Sequence, residues 1–566
     1  MQGPAIVVGI DFGTTFSGVA WALQGSTDDI EVLTSWPGAG NRTSVKVPST
    51  ISYTSGSLNW GYQIGPLTEA CRGIKLLFDE DPETEYSPSV ASKPLLTKYG
   101  KDVVQVAADY MRQLVRQVGE VILRRLGVAL EKCSLQFVLT VPAVWSDKAK
   151  DATLRAAVQA GICERSLSLV AEPEAAALYV MRGVREDFLA VNDVFIVCDA
   201  GGGTVDLISY MVKSTEPLSL VEVTKGTSRM CGSTLLDQRF EEILRERMGF
   251  ENYKALSKKS KEDALKYWQD RVKPNFAGKF DDEEGDFADV DYHIPVRGAK
   301  DDPEVKIEKE VFRLNTDEIE AIFDPIVQEI EELVTEQRRG IARAGLVAEA
   351  ILLVGGFGAS DYLFRRLQEA NPMTTILQPP NSWSAIVSGA VHHGLEGNKV
   401  HMRIARRHYG VQANAKWNPR LHSESQKWLH PLVEEYYVRG QMSWFIYKDS
   451  PLSENTPIKL PFFRAVELSD PDGLVFRDRL YFCNADAAPG GYGDGRANKT
   501  SEVTHLCNVE ADLSTIPREL FEKRTNSKGV QYWYIPFMLA VTPGSAALVF
   551  ELEFNGASYG SVKTRY

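Results

Sequence analysis

The chain has 566 residues, of which 44% are hydrophobic and 25% charged, the proportions of ordinary globular proteins, so neither disorder nor a membrane class is favoured. One hydrophobic core cannot serve a chain of this length, and several lobes of roughly 100 to 200 residues are expected. The 63 Lys and Arg against 76 Asp and Glu leave a formal net charge of -13, which opposes a sequence-independent grip on nucleic-acid phosphates; no apolar run reaches the ~18 residues of a membrane span.

From Ala5 to Ile10 the run AIVVGI is β-branched and continuously apolar, the pattern of a central strand buried on both faces. It ends in Asp11-Phe12-Gly13-Thr14-Thr15, and a second apolar stretch, Val19 to Leu23, follows at once. Gln136 to Val141 then reads as a strand, Asp147 to Ala160 as a helix, and Leu167 to Val170 as a short strand. Glu174 to Met181 is helical, with Pro173 just ahead of its first turn. Val194 to Cys198 repeats the opening arrangement, with Asp199-Ala200-Gly201-Gly202-Gly203-Thr204 as the turn and Val205 to Val212 as the next strand. A strand-turn-strand unit that returns with Asp-x-Gly in both copies points to two similar α/β lobes facing each other across a cleft.

Beyond the second copy, Ser233 to Arg247 and Glu262 to Asp270 are expected to be helical, and the acidic patch Asp281, Asp282, Glu283, Glu284 and Asp286 to be an exposed loop. Asp317 to Ala344 is a long charged helix whose Ile319, Ile322, Ile326, Ile330, Leu333 and Val334 bury one face. Ile351 to Val354 is a strand, Gly355-Gly356-Phe357-Gly358 a turn, and Asp361 to Ala370 a helix. Near residue 400 helical periodicity gives way to short aromatic and β-branched runs (Tyr436 to Val438, Met442 to Tyr447, Val475 to Phe482, Tyr532 to Phe537, Ala547 to Phe554), so the tail is expected to be a β-domain. The expected division is residues 1–190 for lobe I, 191–395 for lobe II with a helical insertion, and 396–566 for the β-rich domain.

Seven cysteines (Cys71, Cys133, Cys163, Cys198, Cys231, Cys483 and Cys507) are scattered without the close pairs of a zinc site, and a reducing compartment is the better reading. The first strand begins by Ala5, which leaves no room for an export signal. The protein is therefore expected in the cytoplasm, and the sequons at Asn41 and Asn498 are read as chance matches.

Three glycine-bearing turns stand at strand ends: Gly13-Thr14-Thr15, Gly201-Gly202-Gly203-Thr204 and Gly355-Gly356. Glycine lets a backbone approach phosphate oxygens closely, and threonine hydroxyls add donors. One such turn is ordinarily a structural corner; three in one chain, two of them with an aspartate at the strand end, are harder to explain that way. Asp11 and Asp199 are candidates to hold a hydrated magnesium ion, since carboxylates are hard oxygen ligands.

Gly9 to Ser17 (GIDFGTTFS) resembles the first phosphate motif of the heat-shock-70 family, and Asp199 to Asp206 (DAGGGTVD) resembles its second. Leu139 to Trp145 (LTVPAVW) and Ala171 to Ala177 (AEPEAAA) are similar to the segments linking the two lobes, and Leu353-Val354-Gly355-Gly356 to the adenosine motif. The likeness runs in order from Ile6 to about Leu395. It implies a two-lobed actin-like ATPase (ribonuclease H-like) fold, α/β in class, followed by a C-terminal β-rich domain, and a divergent, lidless branch of the family.

The resemblance further implies that ATP or ADP and Mg²⁺ are the cofactors. It implies that Glu172, Asp199, Thr204 and Asp206 surround the magnesium and the attacking water, that Pro142 couples nucleotide state to the neighbouring domain, and that Asp270 and Lys273 lie on the adenosine-contacting helix. Departures accompany it. The family's catalytic lysine follows Gly-Asp-Ala-Ala, whereas Gly61-Tyr62-Gln63-Ile64-Gly65 puts glycine at that position, so the cation is missing or comes from elsewhere, such as Lys75. Phe357-Gly358-Ala359 replaces Ser-Thr-Arg in the adenosine motif; Phe357 then either stacks on adenine in place of the arginine or belongs to the core. Met402 to His408 differs from the family's Leu- and Asp-rich linker.

The function expected is a chaperone-like protein with slow ATP hydrolysis, whose nucleotide state controls binding of an unfolded polypeptide or a specific client by the β-domain, with co-chaperones as possible partners and neither nucleic acid nor membrane among them. Two rivals stand beside it: a nucleotide-gated binding module that holds ATP with negligible turnover, and a small-molecule kinase of the same superfamily, for which no acceptor-binding base is visible.

Overall fold

A computed structural model describes residues 5–26, 29–79, 87–183, 189–279, 291–454, 456–470, 474–489, 503–544, 548–561 and 563–565. The acidic patch between Asp281 and Asp286, Asn498 and Ala547 lie outside them. The chain divides into two compact units, Met1–Lys399 and Val400–Tyr566.

In the first unit the strand Ala5–Asp11 is buried along its whole length, as its apolar run requires. It pairs antiparallel with Phe16–Leu23 and parallel with Ser134–Val141, which in turn pairs parallel with Leu167–Ala171; Glu31–Val32 adds to the other side of Phe16–Leu23. The second lobe repeats this order. Val194–Ala200 pairs antiparallel with Val205–Thr215 and parallel with Ala348–Val354, Thr375–Leu377 lies beyond Ala348–Val354, and Leu218–Arg229 beyond Val205–Thr215. Asp11 and Asp199 therefore occupy equivalent strand ends, each next to the glycine turn that follows.

Two helices join the lobes. Glu172–Gly183 leaves the first lobe's edge strand and packs on the second lobe's strands, while Ala385–Glu396 leaves the second lobe and packs on Ala5–Asp11 and Ser134–Val141. They cross where Gly389 faces Ala175, so closely that a Cβ on Gly389 would stand 1.7 Å from the Ala175 carbonyl oxygen. The long helix Thr316–Arg343 is opened by a reciprocal cap between Asn315 and Glu318 and buries the stripe anticipated from its spacing. Sequence reasoning passed over Val103–Leu126, although an Asp102 and Gln105 cap marks its start and Val104, Ala107, Ala108, Met111, Leu114, Val118 and Ile122 form its buried face.

The second unit is β-rich, and among the described residues it holds strands and short 3₁₀ turns but no α-helix. One antiparallel sheet runs Lys427–Leu429, Tyr436–Ile446, His408–Lys416, Val475–Cys483, Val503–Asp512, Lys563–Arg565; the other contains Ile458–Glu467, Gln531–Pro543, Leu548–Phe554 and Ala557–Ser561, with Glu522–Thr525 beside Gln531–Pro543. Val411, Leu480, Cys507 and Val509 of one sheet meet Ile535, Phe537, Leu539, Phe550 and Leu552 of the other in a single core, as in a sandwich. All seven cysteines are free thiols; Cys163 is exposed, Cys133 half-buried and the other five buried. No helix among the described residues is long and apolar enough to cross a membrane.

Candidate functional site

The three glycine turns converge on a cleft of about 870 Å³ between the two lobes, a size suited to a small-molecule ligand. Gly13, Thr14 and Thr15 line it from the first lobe; Gly201 to Thr204, and Gly355, Gly356 and Phe357, line it from the second. The turn at Gly201 is braced from behind. The carbonyls of Gly201, Gly202 and Gly203 accept the backbone N–H groups of Ser233 (3.2 Å), Thr234 (2.9 Å) and Gly232 (3.1 Å). In trans peptides the following N–H groups then point away from the brace, as an anion-binding nest requires.

The glycines are needed for contact between the turns. A Cβ on Gly202 would lie 2.0 Å from Thr15 Oγ1, and one on Gly203 would lie 2.6 Å from Thr14 Cγ2. Gly355, at φ +88°, brings the third turn so close that a Cβ would meet Asp199 Oδ1 at 2.5 Å. A cradle that side chains would fill is a fit for a phosphate chain.

Behind the turns lies a buried charge cluster. Asp11, Glu172, Asp199 and Asp206 are each at most 5% exposed, and two lysines, Lys46 and Lys75, are buried with them. Lys75 is ion-paired with Glu172 and stands 5.5 Å from the Trp145 ring. Lys46 Nζ donates to Asp11 Oδ2 at 2.8 Å, and Thr140 Oγ1 donates to Asp11 Oδ1 at 3.1 Å, so both Asp11 oxygens are engaged. The Thr204 hydroxyl donates to Asp206 at 2.9 Å.

Burial pushes the Glu172 carboxyl up to about 7, with Asp11 and Asp206 adding to the rise and Lys75 opposing it. Burial, then the charges of Glu172 and Asp206, hold Asp199 well above the usual carboxylate range. Burial also acts on Asp11, but Lys46 and Lys75 outweigh it and leave that carboxyl below its ordinary value. Against the cost of burial, Glu172 and Asp11 raise Lys75 and keep it charged. Four carboxyl groups crowd two ammonium groups here, and the mutual repulsion that helps to raise Glu172 and Asp199 is what a divalent cation would offset. Among the described residues no three His, Cys, Asp or Glu side chains could ligate one metal directly. An ion that keeps its waters and meets Asp199 through them is compatible with that spacing.

Gly65, where the motif alignment puts the missing lysine, does not line the cleft; a Cβ there would meet Thr68 Oγ1 at 3.2 Å and Glu262 Oε1 at 3.3 Å. Lys75, carried inward on the 3₁₀ turn Ile74–Phe78, which starts at Gly73 in the left-handed region, does line the cleft, paired with Glu172.

On the far side of the cleft, the helix Lys258–Tyr267 runs into a π-helical turn, Trp268–Val272, that brings Asp270 and Lys273 to the cleft wall. Lys273 Nζ donates to Asp237 Oδ1 at 2.7 Å. Asp270 pairs with Arg42 of the first lobe at 3.3 Å, and the Leu67 N–H donates to Glu262 across the mouth at 3.1 Å. The Phe357 ring is buried against the lobe core, its centroid 6.4 Å from that of Phe323, so the core alternative holds for the ring, although the residue also contributes to the cleft wall. Sequence reasoning missed Lys46, Asp237 and Trp383. Trp383 is 38% exposed and lies beside Gly356, an unusual degree of exposure for a tryptophan lining a cleft.

The family profile described as Hsp70 protein matches residues 7–358, from the first strand through the third glycine turn. The chain belongs to the Hsp70 family. Its sequence is 24% identical over 496 residues to human heat shock 70 kDa protein 12A, covering 72% of each chain. It is 24% identical over 549 residues to human heat shock 70 kDa protein 12B, covering 77% of this chain and 76% of that one. A chaperone protein HscA homologue from Vibrio vulnificus is 29% identical over 262 residues, 43% of this chain and 38% of the relative. The protein is therefore a divergent Hsp70, with the family's actin-like ATPase domain followed by a β-rich region.

Proposed function

We propose that this chain is an ATP-binding, chaperone-like Hsp70 in which ATP or ADP, with Mg²⁺, occupies the interlobe cleft and nucleotide state controls binding of a polypeptide by the β-rich unit. The observation that carries the reading is the Lys75 and Glu172 pair within an acidic cluster facing three glycine turns. It supplies the cation whose apparent loss was the reason to expect slow turnover, and so weakens the case for a module that only holds ATP.

In this reading the backbone N–H groups after Gly201, Gly202 and Gly203, with the Thr14 and Thr15 hydroxyls, hold the phosphates. The Lys75 ammonium stabilises charge on the transferred phosphoryl group. Glu172, poised near neutrality, accepts a proton from the water that attacks the terminal phosphorus while the bond from that phosphorus to the bridging oxygen breaks and ADP leaves. Magnesium, when bound through its waters at Asp199, adds charge neutralisation. Trp383 offers the base an aromatic face where the family's arginine is absent.

The test is calorimetric titration with ATP and ADP, then single-turnover hydrolysis, on the wild type and on Lys75→Met. Binding should persist in both, and hydrolysis should fall roughly 10²- to 10³-fold in the variant. Absence of nucleotide binding by the wild type would overturn the reading; equal hydrolysis by the two would remove Lys75 from it.

A further inference from the structure

Lys46 has no counterpart in the roles that the motifs assign, yet it is built into the phosphate end of the cleft. Its backbone is pinned: the Lys46 carbonyl accepts from Ser44 Oγ at 2.7 Å and from the Tyr62 hydroxyl at 3.0 Å. Its stem crosses the strand Phe16–Leu23 at Gly18, where a Cβ would stand 3.6 Å from Lys46 Cγ, and Gly18 is the residue paired opposite Asp11. The ammonium group is thereby delivered to Asp11, and Lys46 lines the cleft together with Gly13 to Thr15 and Gly201 to Thr204. An ammonium carries three donors, and the Asp11 bond uses one.

We propose that Lys46 is a built-in cation of the phosphate site, which occupies Asp11 in place of a divalent metal and donates to the bound nucleoside diphosphate or triphosphate, so that nucleotide binding survives removal of divalent cations. This rests on the nucleotide reading above. Asp11, with one oxygen on Lys46 and the other on Thr140, is already satisfied without a metal, which leaves Asp199 to act for any magnesium that does bind.

The experiment is ADP titration of the full chain, once with excess magnesium and once with EDTA. Wild type should bind ADP in EDTA within about 10-fold of its affinity in magnesium, because one charge-assisted contact replaces another of similar strength. Lys46→Met should lose roughly 10- to 100-fold of affinity in EDTA and much less in magnesium. Because Lys46→Met leaves Asp11 buried without its cation, the paired variant Asp11→Asn with Lys46→Met supplies a version free of that strain, and it should show the same loss in EDTA. If the paired variant binds ADP in EDTA as wild type does, Lys46 only neutralises Asp11 and the proposal falls. Loss of more than 100-fold by the wild type on going to EDTA overturns it as well, while leaving the nucleotide reading intact. No ADP binding in either condition overturns both.

Discussion

Gly202 has no room for a side chain, and the atoms that exclude one belong to the opposite lobe. Thr15 Oγ1, Cγ2 and Cβ would stand 2.0, 2.8 and 2.9 Å from its Cβ, so a change of Thr15 rotamer cannot relieve the overlap. Gly202→Val should therefore force the two turns apart and abolish ADP binding in titration calorimetry, while circular dichroism still reports a folded chain. Wild-type affinity in that variant would make the turn a corner and nothing more. Glu172 supports a second prediction at this scale. Its carboxyl rises from about 4.5 to about 7 on folding, chiefly through burial, so between those values the folded protein holds a proton that the unfolded chain has released. Stability of the nucleotide-free protein should accordingly fall as pH rises through this window, and Asp199, also raised, adds a slope of the same sign. Lys75 stays charged and Asp11 ionised throughout it. Urea unfolding at pH 5 and pH 7.5 should show the decline in wild type and a smaller one in Glu172→Gln. The glycine turns and their aspartates were legible because their residue types are rare at strand ends. Lys46 was not, because a lysine between valines reads as the solvent-facing member of an alternating strand, and only the tertiary fold turns it inward.

At the scale of elements, the crossing of Glu172–Gly183 with Ala385–Glu396 is where the two lobes are held together. Gly389 packs on the Ala175 backbone, and adding one methyl group to such a contact costs about 1–3 kcal/mol. Gly389→Ala should lower stability by that amount in denaturant unfolding and should weaken ADP binding with it, since the helices set the spacing between the turns; unchanged stability would mean that the helices slide apart freely. Strands and helices with strong periodicity, such as Ala5–Asp11 and Thr316–Arg343, were readable from the sequence almost to the residue. Val103–Leu126 carried an equally readable cap and stripe and was passed over because no motif drew attention to its region. Where Tyr436 to Val438 and Met442 to Tyr447 read as two strands, the structure has one, Tyr436–Ile446; Gly440, at φ +69°, interrupts the apolar pattern without ending the strand, as a bulge does.

For the whole molecule, two compact units with separate cores should unfold in two calorimetric steps. ADP at about 100 times its dissociation constant should stabilise the first unit by about 2.7 kcal/mol. If nucleotide state controls the β-rich unit, ATP and ADP should shift the second step by different amounts; identical shifts would show that the two units do not communicate. The family was legible over the first unit, where function fixes the backbone turns. The second unit was legible only as a class, since a sandwich core asks for alternating apolar residues and little more.

The state of the thiols gives the chain a practical property. Burial pushes Cys71 up to about 11 and Cys231 up to about 12, and raises Cys198 well above an ordinary thiol, while Cys483 and Cys507 are enclosed in the other unit. A maleimide added to the native protein therefore meets Cys163 first and the half-buried Cys133 second, both on the first lobe. With Cys133→Ser, a single fluorophore can be placed on one lobe without redesigning the other five cysteines, and the same five become reporters of unfolding, each silent until its own core opens.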